Sequence, residues 1–326
     1  MERILVTAIG SLSADITIKT LKQMGFFVVG CDIYPQPWVV DAYEVDVFVQ
    51  TPGVKEESYL SFFEELCSQQ QISYIIPLID LEVDVLSVHK ERFQSKGITI
   101  CTLSEICAKQ CRDKYQLPRQ LSSLGEKYGI RMLMGNLLKD INVDELTFPV
   151  IVKPRNGRSS QGCQLIYNEK GIEYLSTIDT EQNLLVQNYV KGQVITVDVV
   201  CDSQRKDAVA VARKELLRTA NGAGTTVSII REPIVEEFCR QAAIHLQIQG
   251  AVNFEFLVDE EKNYYFLEIN PRFSGGVEFT HLAGYNVIKN HMNCFRNVTI
   301  NTCEEIKEMT VARKYEEYIT EGSDKV

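Results

Sequence analysis

Histidine and tryptophan are scarce in this chain, four and one in 326 residues, and no Cys-x-x-Cys pair occurs among its ten cysteines. Zinc sites need thiolates and imidazoles clustered at short spacing, so a zinc module is excluded. Scattered thiols suit a reducing compartment, and Cys107 and Cys111, one helical turn apart, read as a packed helix face. Positive charge is short as well: 34 Lys and Arg stand against 44 Asp and Glu, a formal charge of −10. A nucleic-acid polyanion as main partner is thereby disfavoured, and any basic site must be local. No apolar run approaches the roughly 20 residues that span a bilayer, and the N-terminus has no signal-peptide core. The expected setting is soluble, cytoplasmic and away from membranes. Glycine is missing where a dinucleotide turn wants it. Gly10-Ser11-Leu12-Ser13 opens the first helix and Asp32 ends the second strand, but only Gly10 occupies a fingerprint position, so NAD binding is not expected.

What is present is an ordinary globular composition, 45% hydrophobic and 24% charged, in a chain long enough for two or three domains. Residues 1–105 alternate strand and helix patterns: Ile4–Ile9, Phe26–Cys31, Ser73–Leu78 and Ile98–Thr102 as strands, with helices over Ser13–Met24, Ser58–Gln69 and from about Leu81. Buried parallel strands with crossover helices follow, an α/β Rossmann-like layer. Pro77-Leu78-Ile79-Asp80-Leu81-Glu82 follows the third strand, at the edge where open α/β sheets place ligands. Asp80 and Glu82 are candidates for a substrate amine, and Asp80 also suits a helix cap.

Beyond residue 108 the texture changes. A helix containing Arg112-Asp113-Lys114 leads through Pro118 to another, and Phe148–Arg155 reads as a strand. Asn156-Gly157-Arg158-Ser159-Ser160-Gln161-Gly162 is a small-residue hairpin tip before the strand Cys163–Tyr167. Its backbone amides, with Lys153, Arg155 and Arg158 beside them, suit phosphate oxygens. It is not a P-loop, because a strand follows where a helix is required.

The densest signal lies in residues 251–258 and 264–270, two β-rich runs around a turn-like Asp259–Asn263. With a four-residue loop over 260–263, Val258 pairs with Tyr265, Phe256 with Leu267 and Phe254 with Ile269 on one apolar face. The other face then opposes Glu255 to Glu268 and Asn253 to Asn270, with Cβ atoms about 4.5–5.5 Å apart. Unneutralised, the carboxylates would repel, whereas Mg²⁺ takes oxygen ligands from one or two carboxylates and shares the rest with water and phosphate. A metal site of Glu255, Glu268 and Asn270 is the expectation. Further candidates for contacting substrate are Arg213 and Arg218, which flank the small-residue stretch 219–226, and Ser274, Gly275 and Gly276, where glycine permits close backbone approach. His281 and His291 read as packed or capping residues, and the segment beyond Tyr315 as frayed.

Taken in order, Asp113-Lys114, Val152-Lys153-Pro154-Arg155 with its loop, Leu185–Gly192, Glu255, and Leu267-Glu268-Ile269-Asn270-Pro271-Arg272 resemble the ATP-grasp superfamily. Within it the chain is similar to the carbamoyl-phosphate-synthase-like carboxylate–amine ligases. That resemblance implies an ATP-grasp fold with an N-terminal Rossmann-like, pre-ATP-grasp domain over 1–107, a lid-bearing central domain over 108–190, and a C-terminal domain over 191–326 that holds the metal hairpin. It implies ATP and Mg²⁺ (or Mn²⁺) as cofactors. Lys114 and Lys153 would hold phosphates, with Arg155, Ser159 and Ser160 in or beside the lid, and Lys153 and Arg272 would act at the transferred phosphoryl. Gln187, Asn188, Tyr189 and Val190 would recognise adenine. Two departures stand out: Asn188 replaces a usual glutamate, and Gln193-Val194 stands where a ribose-holding glutamate is common, leaving Gln193 or, more weakly, Asp198 for the ribose. The implied chemistry is phosphoryl transfer to a small, amino-acid-like carboxylate and attack by an amine, giving an amide, ADP and phosphate. The alternatives are a carbamate-type kinase step or a non-catalytic ATP-binding subunit. Small-molecule carboxylate and amine partners are expected, no nucleic acid or membrane, and a homodimer is compatible.

Overall fold

The computed structural model describes residues 1–158, 161–220, 222–302 and 305–321, and within them three sheets organise the chain. The first is parallel: β1 (Arg3–Val6), β2 (Phe27–Asp32), β3 (Val47–Gln50), β4 (Tyr74–Ile76) and β5 (Thr99–Ile100), in the order β3-β2-β1-β4-β5. Between the strands run α1 (Ala14–Gln23), α2 (Tyr59–Gln69), α3 (Asp80–Val88) and α4 (Lys90–Gln94). Ile4, Leu5 and Val6 are fully buried, as parallel strands covered on both faces must be. The alternation of residues 1–105 thus yields the expected Rossmann-like layer. Edge strand β3 is an addition; its apolar run, Val47-Phe48-Val49, is only three residues long and half-buried.

Next come α5 (Glu105–Arg112), α6 (Leu117–Gln120), α7 (Ser122–Tyr128) and β6 (Ile130–Met132). Ser104 caps α5 by accepting from the Cys107 amide, and Gly129 ends α7 in the left-handed region at φ 68°. These helices do not join the lid. Cys107, Cys111, Leu117, Leu121 and Ile130 pack with the largest sheet, and β6 extends that sheet. The expected central segment 108–190 therefore divides near residue 133. Only β7 (Gly135–Leu137), β8 (Val150–Pro154), β9 (Gln164–Ile166), α8 (Glu169–Ile178) and β10 (Leu184–Asn188) form the small second unit, a sheet of order β7-β10-β8-β9 with its own core around Val150, Val152, Ile172 and Leu175.

The third sheet contains β11 (Gln193–Asp202), β12 (Asp207–Arg218), β13 (Gly224–Ile230), β14 (Gln249–Val258), β15 (Tyr264–Asn270) and β16 (Met309–Ala312), in the order β16-β13-β12-β11-β14-β15-β6. Helix α9 (Pro233–His245) covers one face; α10 (Val277–Leu282) and α11 (Val287–Phe295) follow β15. A single core cluster joins Ile4, Val6 and Leu21 of the first layer to Val200, Val211, Ile288 and Met292 of the third. The N-terminal layer is thus welded to the large sheet by continuous apolar packing, which makes the two one rigid support.

The β14–β15 register places Glu255 opposite Glu268, Asn253 opposite Asn270 and Phe254 opposite Ile269, as the alternation requires. The turn end differs. Phe256 pairs with Phe266, Leu257 with Tyr265 and Val258 with Tyr264, because a bulge inserts Leu267 into β15. The cause is aromatic packing: the shift turns Phe266 inward, where its ring centroid lies 5.7 Å from Phe256 and 6.2 Å from Phe254. The bulge keeps both glutamates on one face and still buries three phenylalanines.

Of the residues after Tyr315, those described, 316–321, are tied down at Thr320. Thr320 donates to the Pro37 carbonyl at 2.5 Å and its own carbonyl accepts from Tyr43 at 3.0 Å. Among the described residues no helix is long and apolar enough to cross a membrane.

His291 is buried on α11. Its Nδ1 accepts from the Ala251 amide at 2.9 Å and its Nε2 lies 3.2 Å from the Cys101 carbonyl. A neutral ring with Nε2–H satisfies both, and burial pushes its pKa down to about 3. The sign follows: stability from the neutral ring is fully present above about pH 6.5 and falls by roughly 1.4 kcal/mol per pH unit below it. Denaturation at about pH 7.5 and pH 4.5 should therefore show wild type losing about 3 kcal/mol more than His291→Asn.

Candidate active site

All three sheets contribute walls or floor to one cleft of about 1080 Å³. Glu255 and Glu268 form its floor with Asn270, whose amide nitrogen lies 3.2 Å from Glu255 and 3.4 Å from Glu268. Lys114, just past α5, reaches Glu268 at 3.1 Å and donates to the Gly157 carbonyl at 2.6 Å. Lys153 lies on β8; burial lowers its pKa against the pull of Glu268. The two glutamates differ in consequence. Burial, reinforced by the charge of Glu268, pushes the Glu255 carboxyl above the ordinary range. Burial opposes the charge of Glu268 too, but Lys114 and Lys153 outweigh it and hold that carboxyl below the ordinary range. Arg218 gives Glu255 one contact, at 3.3 Å. Glu255 is the less neutralised of the two, and two carboxylates beside an amide are the oxygen-rich set that suits Mg²⁺. As a ligand Asn270 would present its amide oxygen.

A ladder of ion pairs runs along one wall. Arg272 contacts Asp80 at 3.0 Å, Asp80 contacts Arg112 at 2.5 Å, Arg112 contacts Asp84 at 3.1 Å, and Asp84 contacts Arg158 at 2.5 Å. Asp80 opens α3, but it stands between two arginines and is not a free acceptor for a substrate amine. Burial works against its charge, yet Arg272 and Arg112 hold its carboxyl below the usual range. Its place in the cleft is to aim Arg272. Asp84, one helical turn further on, was legible only as spacing on α3.

Other residues are placed differently from the sequence expectation. Glu82 turns into the N-terminal layer, where it accepts from Thr7 and, at 3.3 Å, from Tyr59. Burial raises its pKa to about 7; it is an interior carboxyl, not a substrate contact. Arg213 is 1% exposed and spends its guanidinium on Asp198 at 2.6 Å, Glu215 at 3.1 Å and Ser274 at 3.0 Å. It supports the cleft wall without being free to clamp a carboxylate, and Asp198, equally buried, is not available to a ribose. Arg155 is clasped by Asp113 at 2.8 and 2.5 Å, away from the cleft. Gln187 gives its amide to the Leu133 carbonyl at 2.7 Å, and Gln193 gives its own to the Glu215 carbonyl. Asn188 ends β10, followed by half-exposed Tyr189 and partly buried Val190. Arg218, Ser274, Gly275 and Gly276 do line the cleft. Ser159 and Ser160 lie outside the described residues. At the head of α1 the Gly10 amide donates to Asp32 at 2.8 Å, so the carboxylate that a dinucleotide ribose would need is already held.

A Rossmann-like layer, a small antiparallel lid sheet and a large sheet carrying two opposed glutamates define an ATP-grasp fold. Residues 180–317 match the family described as ATP-grasp in the biosynthetic pathway with Ter operon, and residues 4–101 match the PylC-like N-terminal domain. The chain thus carries an ATP-grasp domain over residues 180–317 and a PylC-like N-terminal domain over residues 4–101. The carbamoyl phosphate synthase large chain of Agathobacter rectalis is 28% identical over 149 residues, which are 42% of this chain and 14% of that protein. This chain therefore matches about a seventh of its curated relative's length. Among solved structures, the biotin carboxylase domain of Hydrogenobacter thermophilus 2-oxoglutarate carboxylase, in complex with MgADP and bicarbonate, superposes with a TM-score of 0.74 at 19% identity, over 92% of this chain and 70% of that one. The L-amino acid ligase of Bacillus licheniformis gives a TM-score of 0.68 at 14% identity, over 91% of this chain and 74% of that one.

The asymmetry of the glutamates sets a pH dependence for cation binding. Because the Glu255 carboxyl is raised, it takes up a proton above the ordinary glutamate range as pH falls, and the affinity of a cation held there would fall with it. Calorimetric Mg²⁺ titration in the presence of ADP should show weaker binding at about pH 5.5 than at about pH 8. Glu255→Gln should bind about tenfold or more weakly at the higher pH, with a flatter pH dependence.

Proposed function

We propose that this protein is an ATP- and Mg²⁺-dependent carboxylate–amine ligase acting on a small, amino-acid-like substrate. One observation carries the reading: Glu255, Glu268 and Asn270 meet Lys114 on the floor of a cleft that Arg272 also enters. Lys114 and Lys153 would hold nucleotide phosphates, and the three floor residues would hold Mg²⁺ or Mn²⁺. Bound there, the metal ion would offset charge on the phosphate oxygens. Arg272, aimed by Asp80, would meet the transferred phosphoryl group.

The implied reaction balances without a covalent protein intermediate. The γ-phosphoryl passes from ATP to a substrate carboxylate, leaving ADP and an acyl phosphate; an amine attacks the carbonyl, phosphate leaves, and an amide remains with loss of a proton. The protein's task is positioning and charge neutralisation, which fits a cleft built from fixed ion pairs. The names of structural neighbours, carboxylases and an amino acid ligase, support carboxylate chemistry of this class. The cytoplasm, a reducing compartment, suits the nine described free thiols.

The test is hydroxamate formation with ATP, Mg²⁺ and hydroxylamine across a panel of amino acids and other small carboxylates. The reading expects one acid or one narrow group to give hydroxamate and stimulate ADP release. Glu268→Gln should lower that rate by about two orders of magnitude or more. Silence across the panel would count against the ligase reading.

A further inference from the structure

The positive charges that line the cleft can be matched to partners, and one is left over. Arg272 pairs with Asp80, Arg213 with Asp198 and Glu215, Arg218 with Glu255, and Arg158 with Asp84. Lys55 lines the same cleft and is exposed, yet among the described residues no ion pair or hydrogen bond holds its ammonium group. The acids of the cleft are engaged elsewhere, Glu268 with Lys114, and Glu181, exposed on the lid unit, lies beyond ion-pair distance. The turn that carries Lys55 is fixed from within. Thr51 donates its amide to the Asp32 carbonyl at 2.8 Å, and Glu56 donates its own to the Gly53 carbonyl at 2.9 Å. The Gly53 amide in turn donates to the Glu56 carboxylate at 2.6 Å, so the acid adjacent to Lys55 is spent on the turn's own backbone.

The place of that turn follows from the parallel sheet. Strands β1, β3 and β4 run in one direction, so the connections leaving their carboxyl ends rise along a single edge. Those connections bring Ser11 and Ser13 after β1, Lys55 after β3 and Ile79 after β4 to the cleft. Strand β3 lies two strands from β1, about 10 Å away, which sets Lys55 to one side of the β1–α1 turn. Glu255, Glu268 and Asn270 belong to the large sheet instead, so Lys55 enters the cleft from a different wall than the floor residues. An ammonium on a four-carbon stem is a mobile point charge with three donors. In a cleft that gives it no acid, it attracts an anionic group of the ligand. Under the ligase reading the nucleotide phosphates belong to Lys114 and Lys153, and the carboxylate to be activated belongs beside Arg272. What remains for Lys55 is a further carboxylate that is not activated.

We propose that Lys55 receives a second, unactivated carboxylate of the substrate pair, so that this residue selects a dicarboxylic acid or an amino acid amine over its uncharged counterpart. The inference rests on the ligase reading for its role in turnover, but the anion site itself is testable by binding alone. Lys55 is a specificity residue and has no part in holding the nucleotide. Because it is exposed, its substitution leaves the core untouched.

Two arms separate the sources of that carboxylate. In the first, hydroxamate formation with ATP, Mg²⁺ and hydroxylamine is measured for glutarate, aspartate and glutamate, each beside glutaramate, asparagine and glutamine, which lack the second charge. In the second, glycine and alanine are compared with glycinamide and alaninamide as amines, by ADP release in the presence of the acid that gives most hydroxamate. In at least one arm Lys55→Gln should raise KM for the anionic member about tenfold or more. KM for its uncharged counterpart and for ATP should stay within about twofold, and Lys55→Arg should keep the preference. An effect in the first arm assigns the carboxylate to the acid, and an effect in the second alone assigns it to the amine. Equal effects on charged and uncharged members, or no effect in either arm, overturn the proposal. The same compounds are titrated by calorimetry with Mg²⁺ and ADP present. Anion binding that weakens about tenfold in Lys55→Gln, without hydroxamate from any acid, keeps the site and overturns the ligase reading instead. Neither turnover nor binding that depends on Lys55 overturns the site.

Discussion

Glu255 and Glu268 face each other across a two-stranded pairing, and much of the cleft can be read as an answer to their repulsion. The register is held by what lies on the reverse side: Phe254, Phe256 and Phe266 interlock there, and the bulge at Leu267 lets the third ring join without moving either glutamate. A one-residue slip would bury the carboxylates and expose the rings. The apolar core therefore pins two like charges together. Lys114, Lys153 and Arg218 approach to offset them, and the oxygen-rich floor that remains would suit a divalent cation.

The N-terminal layer owes its place at the cleft to a second electrostatic arrangement. Its β4–α3 turn delivers Asp80 between Arg112 and Arg272, and the ladder continues through Asp84 to Arg158 beside the lid loop. In this way a Rossmann-like layer whose own ligand turn is closed by the Gly10–Asp32 bond becomes a bracket for the other two units. Its continuous core with the large sheet gives the bracket stiffness. The small lid sheet, with a separate core of its own, is the unit least committed to that rigid body.

Much of this was legible in the residues, unevenly. The parallel layer was readable because buried strands and amphipathic helices alternate over 1–105, and β3 was missed because its apolar run is only the three residues Val47-Phe48-Val49. The paired glutamates were readable because period-two alternation and a short turn leave few registers. The bulge was not, since it depends on which aromatic ring fills the space under α9. The helices over 105–128 looked like the start of the lid in linear order, yet their apolar faces find the large sheet. Arg213 illustrates the same limit: an arginine near a flexible loop reads as a substrate clamp until burial and Asp198 claim it.

By itself the sequence determined the alternation of the first layer, the opposition of Glu255 to Glu268, and the order of lysines, loop and metal hairpin. All of these are encoded in neighbours along the chain, where periodicity and short turns leave little freedom. Only the tertiary structure decided which charges would be spent on each other. Asp80, Glu82, Arg155 and Arg213 were all candidate ligand contacts in the sequence; their partners lie on other elements or were not signalled by spacing. Burial then decides each case, because a charge removed from water must be paired where it lies. Four candidates were claimed in this way, three by ion pairs and one by neighbouring hydroxyls.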